Sequence, residues 1–298
     1  MQLYESLWSM RDSMTLDRAP YLRKDELPQN LLERLLATRL GTTDSQVVTE
    51  ALSTECWHDP FLLPDMQVAC DLISEIVAAK SFILIYGDYD ADGMTATALL
   101  LKFFQTLNCP VGWYIPDRLD EGYGLSDKGC AYAKAADVSL VITVDCGVSS
   151  RDEIADLEAA GIPVIVTDHH TCPAQLPKCA AVINPMRADS EYPFASLAGV
   201  GVALKLVAAL CQTFDLEKEW RRYLDFAALG TIADVMPLLD ENRAIVTAGI
   251  TALERTERPG LKALMKLLNI NAAAPLTTYH ISFRLAPALN AAGRMGDS

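Results

Sequence analysis

The sequence predicts an α/β fold: a doubly wound, mostly parallel five-stranded sheet, with an N-terminal helical region before it and a C-terminal helical extension after it. Three observations predict this. Short apolar runs recur between residues 82 and 183. Helix-like segments separate most of them. Acidic residues or histidines follow three of the runs directly, where the carboxyl ends of strands would lie. Alternation of this kind specifies a parallel sheet covered on both faces. Ligands of such sheets bind beyond the strands' carboxyl ends.

The elements follow in order. Residues 1–80 read as helical. Leu31, Leu32, Leu35 and Leu36 keep the i, i+3, i+4 rhythm of an amphipathic helix, and a second helix is expected over Met66–Ala79, with Val68, Leu72, Ile76 and Ala79 on one face. Pro60 and Pro64 punctuate the approach to it. Residues 81–240 form the expected α/β domain. Its strands are Phe82–Gly87, Val111–Ile115, Leu140–Val144, Val164–Thr167 and Ala181–Ile183, and its first helices Met94–Leu107, Asp127–Ala136 and Arg151–Ala160. From Ala198 the chain turns helical again: Val202–Thr213, Tyr223–Ile232, Arg243–Arg255 and Lys262–Leu268 are expected helices. Residues 241–298 form a helical connector, and Asn271–Thr278 is the segment most like a linker.

Half of the 298 residues are apolar, enough for a sizeable core. Residues 1–13 carry Glu5, Arg11 and Asp12 and no apolar run, which argues against a secretory signal. No stretch approaches the roughly 18–20 apolar residues of a membrane span. The eight cysteines form no C-x-x-C pair and read as reduced thiols of a cytoplasmic protein rather than a zinc site. The net charge of −14 argues against a nucleic-acid binder. The argument is limited, because metal-binding carboxylates are counted at full charge without their cations.

The first strand runs into Gly87-Asp88-Tyr89-Asp90-Ala91-Asp92-Gly93. Three carboxylates at i, i+2 and i+4 project on one side if the backbone stays extended. They repel one another unless cations sit among them. The competing reading is an acidic turn with Asp92 as helix N-cap, which leaves two aspartates unexplained. The third strand ends in Asp145 and the fourth in Asp168-His169-His170, a dipeptide holding half of the four histidines. Asp234 stands in apolar surroundings and needs a partner or a cation. Mixed carboxylate and imidazole ligands suit Mn²⁺ or Mg²⁺. Asp88, Asp90, Asp92, Asp145, His169, His170 and Asp234 suffice for two ions, the arrangement suited to phosphate-ester hydrolysis. Asp168 would orient a histidine from behind.

These motifs resemble those of the DHH phosphoesterase superfamily and, within it, the RecJ-like exonucleases. The resemblance rests on Tyr86–Gly93, Val144–Gly147, Val166–His170, Ser196–Ala203 and Ala233–Leu238, in that order. Asp120–Ser126 and Pro287–Met295 favour RecJ-like enzymes over other DHH families. The resemblance implies that the seven residues above hold the metals, with Asp145, His169, His170 and Asp168 in the catalytic group. It also implies a 5′→3′ exonuclease that digests single-stranded DNA to mononucleotides in recombination and repair. A single-strand-binding protein or a helicase is then an expected partner. Such chains normally continue into a DHH-associated domain and an oligonucleotide-binding fold, and this sequence stops at Ser298, before either. The alternatives are a DHH phosphodiesterase of short oligonucleotides or cyclic dinucleotides, and a non-catalytic replication or repair scaffold. The complete ligand set counts against the scaffold.

Four residues are candidates for substrate contact. Gly199 and Gly201 open a helix and could offer backbone N–H groups to a phosphate, or serve only close packing. Arg294 could grip a phosphate as a bidentate donor, or lie on the surface. Tyr123, in a loop between two glycines, could stack on a base, although a ring tucked against the sheet is the stronger expectation.

Overall fold

The computed structural model describes residues 41, 44, 54–270 and 274–294. The helix expected around Leu31–Leu36, and residues 271–273 of the linker-like segment, lie outside these. Compact packing divides the chain into residues 1–56 and 57–298. The boundaries expected at 80 and 240 therefore fall inside the second unit, which holds the sheet, the helix before it and the helices after it.

Helix α1 (Met66–Ala78) leads into β1 (Ile83–Tyr86), α2 (Ala91–Thr106), β2 (Val111–Tyr114), α3 (Asp127–Ala135), β3 (Leu140–Val144), α4 (Arg151–Ala159), β4 (Val164–Thr167) and β5 (Ala181–Ile183). All pairings are parallel, in the order β2-β1-β3-β4-β5. The strands are short, mostly apolar runs, and all but β2 are buried throughout. Their side chains alternate between two cores. Ile83, Ile85 and Ile142 meet α1, α2 and α5 (Gly199–Thr213) on one face. Leu84, Tyr86, Val141 and Val166 meet α3 and α4 on the other. A third cluster joins α6 (Leu224–Ala233), α7 (Asp240–Glu254), α8 (Pro259–Leu267) and the turn before α9 (Ala286–Ala292). Among the described residues no helix is long and apolar enough to cross a membrane.

The sheet reverses its winding between β1 and β3. The chain leaves β1 for β2 on one side and returns to place β3 on the other. A crevice opens at such a switch point, beyond the strands' carboxyl ends. The aspartates after β1 and β3 both fall there.

Candidate metal centre

The chain after β1 does not stay extended. Asp90 is the N-cap of α2, its carboxylate accepting from the N–H groups of Asp92 and Gly93. The helix thus starts at Ala91 rather than Met94, and Asp92, expected as a possible cap for it, lies in its first turn. The three carboxylates converge because the chain turns, not because a strand continues. Asp92 reaches across 107 residues instead, to accept from Gly199 N–H at 2.7 Å and from Val200 N–H at 2.9 Å.

The Gly199 N–H, one of the two glycine donors open to a phosphate or to close packing, is thus engaged by Asp92. The N-terminus of α5 attracts an anion, as such termini do, and the anion is the protein's own Asp92. Gly199 is needed for closeness: a Cβ there would stand 2.5 Å from Asp145 Oδ1. A Cβ on Gly201 would make only ordinary contact with Leu197.

Asp145 follows β3 with a left-handed backbone, φ 60°. Its Oδ1 lies 3.1 Å from His169 Nε2, and Asp234 Oδ2 lies 3.7 Å from the same nitrogen. Asp145 Oδ1, His169 Nε2 and Asp88 Oδ1 are all buried without a hydrogen-bond partner. Ligand atoms of Asp88, Asp90 and Asp145 lie within 4.8 Å of one another, as do those of Asp92, His169 and Asp234, and those of Asp145, His169 and His170. All seven expected ligands meet in one place. Unpaired buried oxygens beside an unpaired imidazole nitrogen cost free energy, and a divalent cation would satisfy all of them. The donor set fits a hard or borderline ion.

The electrostatics of the cation-free protein agree. Burial, then the charge of Asp90, pushes Asp88 up to about 7 and Asp234 up to about 6. Burial, then neighbouring aspartates, raises Asp92 and Asp145 as well. Burial, then the neighbouring His170, lowers His169 and keeps it neutral, as a ligand must be. Asp168 behaves oppositely. Burial would raise it, but the hydrogen bond from His170 and backbone N–H groups outweigh that and lower it. Its Oδ1 lies 2.8 Å from His170 Nδ1, and Val148 N–H donates to Oδ2 at 3.0 Å. The hydrogen bond to Asp168 raises His170.

A cavity of about 290 Å³ opens onto the cluster, lined by Asp88, Asp90, Asp145, His170 and Asp234 on one side and by Tyr89, Arg118, Tyr123, Asn290 and Arg294 around the rest. Tyr123 is not tucked against the sheet. Its ring is half-exposed, while its hydroxyl donates to the Asp145 carbonyl at 3.0 Å and lies 3.1 Å from His170 Nδ1. Arg294 reaches the cavity wall. Three lining residues were not among those expected. Arg118 stacks over the Tyr89 ring at 5.0 Å, and Asn290 Oδ1 accepts from Ala91 N–H at 2.7 Å, pinning the acidic loop. Arg118 follows β2, so the rule that flagged the ends of β1, β3 and β4 would have found it at the end of β2.

A parallel sheet with carboxylates and histidines gathered at its switch point defines the class. Residues 82–231 match the model of the DHH family, N-terminal domain, and the chain belongs to that family. Among curated proteins it is similar to the single-stranded-DNA-specific exonuclease RecJ of Bacillus subtilis (strain 168), 44% identical over 241 residues, which cover 80% of this chain and 30% of that protein. The same-named protein of Salmonella typhimurium is 37% identical over 304 residues, 97% of this chain and 52% of that one. The crystal structure of exonuclease RecJ bound to manganese superposes with a TM-score of 0.72 at 35% identity, covering 79% of this chain and 59% of that chain. The chain thus spans about half the length of these relatives, or less.

Proposed function

We propose that this chain carries the catalytic centre of a single-stranded-DNA-specific exonuclease that removes mononucleotides from the 5′ end, in recombination and repair. The observation that carries the reading is the pair Asp145 Oδ1 and His169 Nε2, buried 3.1 Å apart with neither hydrogen-bonded. Asp88, Asp90, Asp92, Asp145, His169 and Asp234 would hold two Mn²⁺ ions. His170, at the open side of the cluster, completes the set or faces the phosphate. When bound, such ions lower the pKa of a water and neutralise charge on the phosphoryl oxygens. The chain's own residues do the rest. Asp168 fixes the His170 ring through Nδ1 and favours its protonated form, which suits donation to a phosphate oxygen. The Tyr123 hydroxyl meets the same nitrogen, His170 Nδ1, at 3.1 Å. Arg118 and Arg294 place positive charge on the cavity wall, where a nucleic-acid backbone would pass. The cavity is small, so it suits one nucleotide at a strand end rather than a duplex.

The reading extends to the cytoplasm as place of action, and to a single-strand-binding protein or helicase as the partner that presents an open strand. The test is digestion of 5′-labelled and 3′-labelled single strands with and without Mn²⁺. Label should leave the 5′-labelled strand first, as mononucleotide and only with Mn²⁺. Rising salt should slow the reaction, because phosphate contacts drive binding. Equal digestion of blunt duplex, or release beginning at the 3′ end, would refute the proposal.

A further inference from the structure

Asn242 carries no charge, yet it is completely buried in the first turn of α7. Its Nδ2 donates to the Ser196 carbonyl at 2.6 Å and to the Pro237 carbonyl at 3.0 Å. Its Oδ1 has no partner. A buried amide that leaves its oxygen unsatisfied costs free energy, so what the position retains is the pair of N–H donors.

The two carbonyls belong to the two loops that shape one half of the site. Ser196 opens the segment running into α5. In that segment the Leu197 carbonyl bonds to the His169 ring, and the Gly199 and Val200 N–H groups hold Asp92. Pro237 lies in the connection from α6 to α7, three residues beyond Asp234. That connection is not at ease by itself: Val235 adopts φ 58°, a conformation that β-branched residues avoid. It therefore needs an external hold, and Asn242 supplies one. One nitrogen ties the loop that holds Asp92 and His169 to the loop that carries Asp234.

We infer that Asn242 is a positioning residue: by joining the Ser196 and Pro237 carbonyls it sets the spacing of Asp92, His169 and Asp234, and so the affinity of one of the two metal positions. The position formed by Asp88, Asp90 and Asp145 draws its ligands from the loops after β1 and β3, and the hydrogen bonds of Asn242 go to neither. The inference rests on the metal reading above and sharpens it, because it assigns one buried amide to one ion.

Calorimetric titration of the full chain with Mn²⁺ tests it. Wild type should bind two ions. Asn242→Ala should weaken one of them by roughly 10–100-fold, as loss of a residue that supports a ligand does, and leave the other unchanged. Leu253→Ala serves as control: it opens a cavity in the same helix, away from the two carbonyls, and should keep both affinities. Asn242→Ser, which retains one donor, carries the test if the alanine variant does not fold. A single binding step in wild type overturns the inference. So does equal weakening of both steps by Asn242→Ala, no weakening, or the same selective loss in Leu253→Ala. Wild type that binds no Mn²⁺ removes the metal reading itself.

Discussion

At the scale of the residue, Asp145 concentrates the tension of the site. It is buried, unpaired at Oδ1 and close to His169, and its backbone is left-handed. Alanine in that conformation costs about 1–2 kcal/mol, whereas asparagine tolerates it. Asp145→Asn is therefore the cleaner probe. We expect it to melt at or above wild type without metal, because it removes like-charge repulsion. It should gain little from Mn²⁺ and lose roughly a thousandfold or more in hydrolysis. Thermal melts and an assay under conditions where wild type turns over would check this; a Mn²⁺-responsive, active variant would move the centre of the site elsewhere. The pH dependence follows from Asp88 and Asp234, raised to about 7 and about 6. Unfolded carboxylates titrate near 4. Between these values the folded metal-free protein binds more protons than the unfolded chain, so its stability falls as pH rises through that window, and Asp92, pushed up to about 8, carries the fall on to about pH 8. Mn²⁺ must displace those protons, so its affinity should climb from about pH 5 to about pH 8 with proton release. Titrations in buffers of different ionisation enthalpy would detect the release, and a pH-independent affinity would contradict it.

At the scale of the element, the junction of α2 with α5 decides whether the site closes. Gly199 and Gly201 stand two residues apart in α5 with opposite consequences. Gly199→Ala drives a Cβ against Asp145 and should abolish tight Mn²⁺ binding. Gly201→Ala meets only Leu197, and should stabilise the protein by about 0.5–1 kcal/mol by removing a helical glycine. Melting both variants with and without Mn²⁺ separates the two roles. The sequence expresses the elements better than their junctions. Four of the five strands were legible as buried apolar runs such as Val164–Thr167, and β2, which is not buried throughout, through its place in the alternation of strands and helices. The start of α2 was misplaced by three residues, because Asp88, Asp90 and Asp92 look alike and only the fold shows which one caps. That Asp92 serves α5 depends on a contact 107 residues long, which no local pattern encodes. Asn290 lies in the segment Pro287–Met295, but its bond to the Ala91 N–H, like that of Asn242 to the Ser196 carbonyl, joins groups too far apart in the chain for any local pattern to show.

At the scale of the whole molecule, a chain of net charge −14 gathers much of its repulsion into one crevice. Saturating Mn²⁺ should therefore raise the melting temperature. At a hundred times the dissociation constant the gain is about 2.7 kcal/mol, on the order of 4 °C for a chain of this size. A chelator should reverse it, and a melting temperature unmoved by either would argue that the crevice stays cation-free. The contact between Asn290 and Ala91 carries a consequence in time. Every acidic candidate ligand lies before residue 235, yet the loop bearing the first three is clamped by the side chain of Asn290, and Gly293 packs close against the Tyr89 carbonyl. As the chain emerges from the ribosome, the sheet can assemble long before its clamp exists. Domains fold as their residues appear, so the nascent sheet would pass through an interval in which it is folded while the acidic loop after β1 still waits for Asn290. The candidate ligands on that loop would then reach their final spacing only as α9 docks.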